Sequence, residues 1–483
     1  MVKTILSRHG YKIKKSELDL KMIKELKKDL TASPYLVGDF KTEKKFSLFL
    51  ESPNSMYIPR FYGFDKFGAP TETKMEEGTT INIKFNGALR PEQEPIVKLY
   101  EEACLKRGGG LISLKCGGGK TVLALYIIAL LRKKAIVVVH KDFLMTQWRD
   151  RIKEFLPTAR IGKIQQSTID IEDKDIVLAM VQSLSQKEYE PEVFNTFGLA
   201  IFDECHHLGA EVFSRSMIKV ASKYMLGLSA TPDRKDGLRK VFEWYIGPMV
   251  YKTEEKNKDY IETRIYEYYN DTLPYRKLEI NYMKKPCLPK MINNISECTD
   301  RLEFINALVK TEHALGRKIL ILGDRREYLN TVEKWCHSNI YDGVAGQYVG
   351  GMKPSELRDS QEKDIILGTF SMASEGMDIP KLNTIVLASP RSDVVQSVGR
   401  ILREKADVRK FHPLVIDIKD THPNMTVFQR QCQKRIAYYK KSNHDIHLYK
   451  VDGTKEKIIK GRRKRNEKLV NELDITTCLI SDD

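Results

Sequence analysis

The chain has 483 residues, of which 41% are hydrophobic and 30% are charged. This composition excludes wholesale disorder, and at roughly 150 residues per domain the length predicts about three domains. The longest apolar run, Val122 to Leu131, is far shorter than the roughly 20 residues that a membrane-spanning helix needs. The eight cysteines show no Cys-x-x-Cys spacing, which argues against a zinc site or a disulfide framework. Because the N-terminus turns polar too early for a signal peptide, we expect an intracellular, non-secreted protein.

Lysine and arginine outnumber aspartate and glutamate by 81 to 65, which gives a net charge of +16. This excess favours a polyanionic partner, either nucleic acid or an anionic membrane surface. The alternative is a protein that is simply basic. The charge is concentrated in residues 1–30 and 450–468, at the two ends of the chain.

Residues 1–85 predict a small N-terminal accessory domain. The lysine-rich stretch from Lys12 to Lys28 favours an exposed charged helix. Further on, Phe46–Leu50 and Tyr57–Tyr62 combine aromatic and apolar residues in alternation, which is typical of strands. The sequence leaves open what this domain binds.

Residues 86–248 alternate short apolar runs with amphipathic segments, the pattern of a parallel α/β domain. Five of these runs predict central strands, namely Gly110–Leu114, Ala135–His140, Ile176–Val181, Leu199–Phe202 and Met225–Ser229. Ligands of such sheets bind at the carboxyl ends of the strands, so functional residues are expected directly after them.

A glycine-rich loop follows the first predicted strand. Its residues are Leu114, Lys115, Cys116, Gly117, Gly118, Gly119, Lys120 and Thr121. Consecutive glycines let backbone N–H groups approach phosphate oxygens, and the start of the next helix adds positive potential. In this interpretation Lys120 reaches the β- and γ-phosphates and Thr121 binds Mg²⁺. The strict phosphate-loop pattern has glycine at the position of Leu114, and the alternative is an ordinary glycine-rich turn.

An acidic pair, Asp203 and Glu204, follows the strand Leu199–Phe202. An aspartate at a strand end can hold Mg²⁺, and the adjacent glutamate can polarise an attacking water. The alternative is a solvated acidic loop, which the phosphate loop upstream makes the minority view. Ser229–Pro232 also ends a strand, and its hydroxyls could hydrogen-bond the acidic pair, although such a tetrapeptide alone is more often a turn.

Residues 249–290 have little periodicity and predict a connector or insertion. Residues 291–441 predict a second parallel α/β domain, and residues 442–483 a basic tail. The strands expected in the second domain are Lys318–Leu322, Val344–Val349, Asp364–Thr369, Thr384–Ala388 and Pro413–Ile418. In the tail, Arg462–Arg465 suits a nuclear-localisation signal, an arm that grips nucleic acid, or a solvated end.

Near the end of the second domain, Gln396, Arg400 and Arg403 are spaced i, i+4 and i+7, which places them on one helical face. Two guanidinium groups there could offset charge on a transferring phosphoryl group. Two arginines in isolation are more often a solvated basic stripe. The preceding segment Ser374–Pro380 contains Gly376, which permits a tight turn, and Asp378.

Taken in order, these motifs resemble those of superfamily-2 DExH helicases, in the branch that contains XPB, UvsW and the poxvirus-type transcript-release helicases. The resemblance covers about residues 86–441. Besides the phosphate loop it rests on Leu89–Gln93, on Val138–Lys141 with Leu144, Gln147 and Trp148, on Asp203–His206, on Ser229–Pro232 with Arg234, Asp236 and Gly237, on Gly376–Pro380 and on Gln396–Arg403. In style the chain is closest to the members from large DNA viruses.

The resemblance implies an α/β fold of two tandem RecA-like lobes, with ATP in the cleft and a nucleic-acid strand across their tops. It implies catalytic roles for Lys120, Asp203, Glu204, Gln396, Arg400 and Arg403, and metal ligation by Thr121 and Asp203. It further implies nucleotide contacts for the phosphate loop and for Arg90, Gln93, Gly376 and Asp378. ATP and Mg²⁺ are the implied cofactors. The Val138–Lys141 motif, the Gly350-Gly351 turn and the Gly376 motif would hold phosphates of the nucleic acid.

The leading hypothesis is therefore an ATP-dependent DNA helicase or translocase, with transcription, replication or repair machinery of a virus as possible partners. If the source is viral, the host cytoplasm, the nucleus and the virion are all open. An RNA helicase, or a translocase that releases transcripts without separating strands, is the nearest alternative. A nucleic-acid-binding module with a vestigial ATPase and the motor subunit of a restriction nuclease belong to other classes. The full set of hydrolytic residues argues against a vestigial ATPase. The nuclease subunit is disfavoured because the sequence shows no convincing nuclease carboxylate cluster.

Overall fold

The computed structural model describes residues 2–32, 45–114, 117–204, 210–230, 239–253, 260–375, 377, 379, 381–404, 408–451 and 455–459. The chain divides into two units, Met1–Glu254 and Glu255–Asp483. Each unit contains one eight-stranded, largely parallel sheet, and the first unit also carries a smaller sheet at its N-terminal end. The predicted α/β class is confirmed. No helix in the described ranges is both long and apolar enough to span a bilayer.

The N-terminal part of the first unit is built on a five-stranded sheet with the order β5-β6-β2-β1-β7, next to a two-stranded sheet of β3 and β4. Its strands are β1 (Thr4–Ser7), β2 (Gly10–Lys14), β3 (Thr31–Ala32), β4 (Phe46–Ser47), β5 (Leu50–Glu51), β6 (Ser55–Ile58) and β7 (Glu72–Lys74), and its helices are α1 (Leu20–Asp29) and α2 (Arg60–Phe67).

The helix predicted from Lys12 to Lys28 is wrong over its first part. Tyr11 and Ile13 are buried whereas Lys12 and Lys14 lie outward, so the period of two makes this segment a strand. The helix begins only at Leu20, where the Asp19 carboxylate accepts a hydrogen bond from the Met22 N–H at 2.6 Å. Lysines on both elements hide this change of period from a reading based on charge.

The large sheet of the first unit has the order β11-β10-β12-β9-β13-β14-β8-β15 and is parallel except for β11. Its strands are β8 (Gly109–Ser113), β9 (Ala135–Val139), β10 (Ile161–Gln165), β11 (Thr168–Asp170), β12 (Ile176–Met180), β13 (Leu199–Asp203), β14 (Tyr224–Ser229) and β15 (Met249–Lys252). The helices are α3 (Glu94–Arg107), α4 (Lys120–Leu131), α5 (Asp142–Phe155), α6 (Val181–Gln186), α7 (Ala210–Lys219) and α8 (Arg239–Ile246).

Both faces of this sheet are covered, which is why its central strands read as continuous apolar runs. On β9, Ile136 and Val138 face one hydrophobic cluster, and Val137 and Val139 face the other. Helices α3, α4 and α5 pack on the second face. The first face is shared between α6 to α8 and the N-terminal sheet domain, so residues 2–32 and 45–74 have their own sheet but no separate core.

Polar contacts join the N-terminal sheet domain to the rest of the first unit. The Tyr245 hydroxyl of α8 donates to the Leu48 carbonyl at 2.6 Å. At the start of α2, the Arg60 guanidinium donates to the Lys223 carbonyl at 2.8 Å. Because both contacts are largely shielded from water, they fix this domain on the sheet more firmly than surface ion pairs would.

The sheet of the second unit has the order β18-β19-β17-β20-β21-β16-β22-β23 and is parallel except for β23. Its strands are β16 (Glu262–Tyr268), β17 (Ile319–Gly323), β18 (Ala345–Tyr348), β19 (Ile365–Thr369), β20 (Thr384–Leu387), β21 (Leu414–Asp420), β22 (Asp445–Lys450) and β23 (Lys455–Ile459). The helices are α9 (Leu288–Ser296), α10 (Thr299–Ala314), α11 (Arg326–Asn339), α12 (Pro354–Glu362), α13 (Phe370–Glu375), α14 (Val395–Val398) and α15 (Thr426–Lys441).

Two segments without predicted strands contribute to these sheets. The stretch 249–290, expected to be a connector, supplies β15 to the first unit and the interior strand β16 to the second. The charged Arg264 makes β16 unlike an interior strand in sequence. The structure accommodates it because its guanidinium is paired with Glu262 at 2.6 Å and with Glu312 at 2.7 Å. The predicted tail 442–483 likewise begins with β22 and β23. Its arginine cluster lies outside the described residues.

Candidate functional site

The glycine-rich loop connects β8 to α4, as the sequence predicts. Gly117 and Gly119 have φ angles of 76° and 74°, a left-handed backbone that favours glycine. Helix α4 begins at Lys120, directly after Gly119. Leu114 is buried and extends the line of β8, and its N–H donates to the Ser229 carbonyl at 3.1 Å. The sharp turn into a helix N-terminus therefore presents backbone N–H groups in the way that an anionic ligand requires. Lys115 and Cys116 lie outside the described residues.

The Leu-Arg-Pro-x-Gln motif, residues Leu89–Gln93, contacts this loop from its carbonyl side. The buried Gln93 amide donates to the carbonyls of Gly118 at 3.1 Å and Gly119 at 3.3 Å. The Gln93 carbonyl oxygen accepts from the Arg90 N–H at 3.0 Å, and the Arg90 guanidinium donates to the Gly117 carbonyl at 3.1 Å. The fit is close, since a Cβ on Gly119 would approach Gln93 Nε2 to 2.5 Å. Two side chains thus hold the loop that the sequence assigned to phosphate.

The acidic pair lies at the carboxyl end of β13, between β9 and β14. Glu204 Oε1 is 2.5 Å from Lys120 Nζ, and both side chains are largely shielded from solvent. The Glu204 backbone has a φ of 47°, which is uncommon for a residue other than glycine and turns the chain sharply after the strand. Fold and loop together bring the lysine and the glutamate, 84 positions apart in the chain, into direct contact.

Asp203 is 7% exposed and accepts a hydrogen bond on Oδ2 from the Trp148 indole N–H at 2.8 Å. Burial, followed by the neighbouring Glu204 charge, raises the pKa of Asp203 to about 6, while Lys120 and the indole act in the opposite direction. A divalent cation would relieve this repulsion. Carboxylate and hydroxyl oxygens are the donors that Mg²⁺ prefers, so Asp203 and Thr121 fit the metal that the motifs imply.

Ser229, at the end of β14, is buried and lies on the strand between β13 and β8. Ala230 follows it, and Thr231 and Pro232 lie outside the described residues, as do Cys205 and His206 of the DExH motif. Ser229 is therefore placed at the same sheet edge as the acidic pair.

In the second unit, Gln396 lies on the short helix α14, which continues into a 3₁₀ turn over Gly399–Leu402. The single α-helix that the i, i+4 and i+7 spacing assumed is therefore wrong at this point. Arg400 is 7% exposed and donates from Nε to the Ala373 carbonyl at 2.6 Å and from Nη1 to the Met377 carbonyl at 2.9 Å. Arg403 is half-buried. Gly376 and Asp378 lie outside the described residues.

One contact of the site was not expected from sequence. Trp148 belongs to the motif that includes Leu144 and Gln147, but its hydrogen bond to Asp203 spans 55 positions and depends on how α5 packs on β13. No spacing rule reports such a contact. The only available signal was chemical, because a buried indole N–H needs an acceptor.

Known proteins match this chain in both sequence and fold. Residues 86–234 match the family described as "Type III restriction enzyme, res subunit". The "Putative ATP-dependent RNA helicase" of Acanthamoeba polyphaga mimivirus is 36% identical over 461 residues, which cover 93% of this chain and 88% of that protein. A protein of the same description from African swine fever virus is 26% identical over 385 residues, covering 74% of this chain and 73% of that protein.

Among solved structures, a fragment of a "putative HsdR subunit of a type I restriction enzyme" from Vibrio vulnificus YJ016 aligns with a TM-score of 0.52. It is 16% identical and the alignment covers 77% of this chain and 71% of that one. At this identity the likeness shows the fold alone, which is that of tandem RecA-like sheets.

Proposed function

We propose that the chain hydrolyses ATP to move along or unwind DNA. It belongs to the superfamily-2 helicases, together with the viral proteins it matches. The observation that carries the proposal is that the phosphate loop, through its Lys120, meets the acidic pair at one sheet edge. This combination supplies an anion site, a cation and two carboxylates at the carboxyl ends of β8 and β13, which β14 separates in the sheet.

We assign nucleotide roles to the described residues as follows. The backbone N–H groups of the loop bind phosphate oxygens, and Lys120 exchanges its Glu204 partner for the β- and γ-phosphates. That exchange frees Glu204 to polarise the attacking water, a general-base role. Thr121 and Asp203 hold Mg²⁺, which when bound offsets charge on the phosphates. Gln93 contacts the adenine as well as the loop.

Arg400 and Arg403 are proposed to offset charge on the transferring phosphoryl group, with Gln396 beside them. The proposal requires Arg400 to exchange the carbonyls of Ala373 and Met377 for an anionic partner. Arg403 is half-buried. Gly376 and Asp378 are also proposed to contact the nucleotide.

The nucleic acid is proposed to be bound through its phosphate backbone, with DNA ahead of RNA. A net charge of +16 favours such a partner, and phosphate contacts make binding tolerant of sequence and sensitive to salt. The names of the viral relatives favour the alternative of an RNA helicase. Transcript release without strand separation remains a further form of the same motor.

The deciding experiment is an ATPase assay across single-stranded DNA, duplex DNA and RNA. We expect stimulation by nucleic acid, greatest with DNA, and its loss in Lys120→Ala and Glu204→Gln. Matched controls are Lys106→Ala and Glu102→Gln on the exposed side of α3, which should behave as wild type. Turnover that no nucleic acid changes would contradict the proposal, whereas stimulation by RNA alone would transfer it to the RNA alternative.

The restriction-type family description raises a second candidate, the motor subunit of a nuclease. Within the part of the chain that the structure describes, no group of three or more His, Cys, Asp or Glu side chains could hold a nuclease metal. Cleavage of plasmid DNA in the presence of Mg²⁺ would favour this candidate. A vestigial ATPase would instead be indicated if Lys120→Ala retained full biological activity.

A further inference from the structure

The indole N–H of Trp148 donates a hydrogen bond to the carboxylate of Asp203. The side chain is 1% exposed and lies on α5, and its Nε1 is 2.8 Å from Asp203 Oδ2. An indole has a single donor and no acceptor, so this contact uses its whole hydrogen-bonding capacity. A main-chain carbonyl would satisfy the indole equally well, yet the acceptor here is the carboxylate at the end of β13.

The contact determines how the carboxylate is oriented. A carboxylate rotates readily about its last bond, because that torsion has broad minima. Donation to Oδ2 from a ring locked in a packed core removes this freedom and commits one oxygen to the protein. Hydrogen bonds of this kind, made to a metal ligand by a residue behind it, fix the ligand before the metal arrives.

We propose that Trp148 is a positioning residue that orients Asp203 for the metal–nucleotide complex. The inference rests on the proposed function, since it takes Asp203 to be a metal ligand. Trp148 touches neither nucleotide nor metal in this assignment and acts only through the carboxylate. Substituting Phe keeps most of the apolar volume and removes the donor, which separates orientation from packing.

The test measures metal affinity rather than turnover. Mn²⁺ is titrated into excess protein saturated with a non-hydrolysable ATP analogue, and free Mn²⁺ is followed by its electron paramagnetic resonance signal. We expect Trp148→Phe to weaken Mn²⁺ binding by about tenfold or more, the range typical for loss of a group behind a metal ligand. Binding of the analogue in EDTA should stay within about twofold of wild type. Trp244→Phe, which removes another tryptophan from the same unit, should leave both affinities unchanged.

The inference would be overturned if Trp148→Phe lowered the melting temperature but left the Mn²⁺ affinity unchanged. The indole would then serve packing alone. Equal loss of affinity with and without metal would overturn it as well. If wild-type protein binds no Mn²⁺–nucleotide complex, the proposed function itself fails, and that outcome is recognised before any variant is made.

A second measurement applies if Trp148→Phe does not fold. The double variant Trp244→Phe/Trp335→Phe leaves Trp148 as the single tryptophan of the chain. Its emission should change when Mg²⁺ and the analogue are added together, and much less when the analogue is added in EDTA. If the protein binds the metal–analogue complex but its Trp148 emission does not respond to the metal, the inference is overturned.

Discussion

Asp203→Asn should stabilise the ligand-free protein while abolishing its ATPase activity. Burial and the adjacent Glu204 raise the pKa of Asp203 from its usual 3.8 to about 6. A folded-state pKa above the unfolded value means that ionisation penalises the native state, so stability contributed by this group is lost as pH rises from about 4 to 6. At ~1.36 kcal/mol per pKa unit, the penalty is about 3 kcal/mol at pH 7.5 and about half of that at pH 5. Asparagine keeps an acceptor for the Trp148 indole and carries no charge.

The assay is thermal and urea unfolding in EDTA at pH 5 and pH 7.5. For a unit of this size, about 3 kcal/mol corresponds to a rise in melting temperature of about 6 °C. Asp175→Asn is the matched control with the opposite sign. Its carboxylate accepts from Arg160 at 3.0 Å and has a lowered pKa, so its loss should destabilise the protein. An Asp203→Asn variant that is no more stable than wild type at pH 7.5, or whose advantage does not shrink at pH 5, would refute the reasoning.

Three further outcomes are expected. Gly119→Ala should raise the KM for ATP and lower the free energy of unfolding by ~1 kcal/mol or more. The reason is that Gly119 has a φ of 74° and the new Cβ would crowd Gln93. ATPase kinetics like those of wild type would contradict this prediction. Asp417→Asn should cost about 3–5 kcal/mol in urea unfolding, since it leaves the buried Arg435 guanidinium without its paired charge. Tyr245→Phe removes a buried hydrogen bond to the N-terminal sheet domain and should cost about 1 kcal/mol. Limited proteolysis should then cut that domain earlier than in wild type.

The sequence was sufficient for the strands that form the centre of both sheets. The run before Asp203 is uniformly apolar because β13 is covered on both faces, and the acidic pair marks where it ends. Strand β16 escaped prediction for the opposite reason. Arg264 is a charged residue on an interior strand, and only its two carboxylate partners, one of them 48 positions away, make its burial tolerable.

Side-chain partners at the site were not predictable in the same way. A motif specifies which residue type stands at a strand end, but the donor that meets it comes from another element. The contact between Gln93 and Gly118 spans 25 positions, and that between Lys120 and Glu204 spans 84. Such pairs depend on the packing of helices against the sheet, which periodicity does not encode.

The contacts of the loop carry a consequence for the Leu-Arg-Pro-x-Gln motif. Donors from Arg90 and Gln93 occupy carbonyls of Gly117, Gly118 and Gly119, so the conformation of the loop is held before any ligand arrives. A loop held in this way loses less conformational entropy when it binds phosphate. We therefore expect the motif to support phosphate binding through the loop, independently of any contact with the base. A substitution of Gln93 should for this reason weaken binding of inorganic triphosphate as well as of ATP, which a purely adenine-contacting residue would not do.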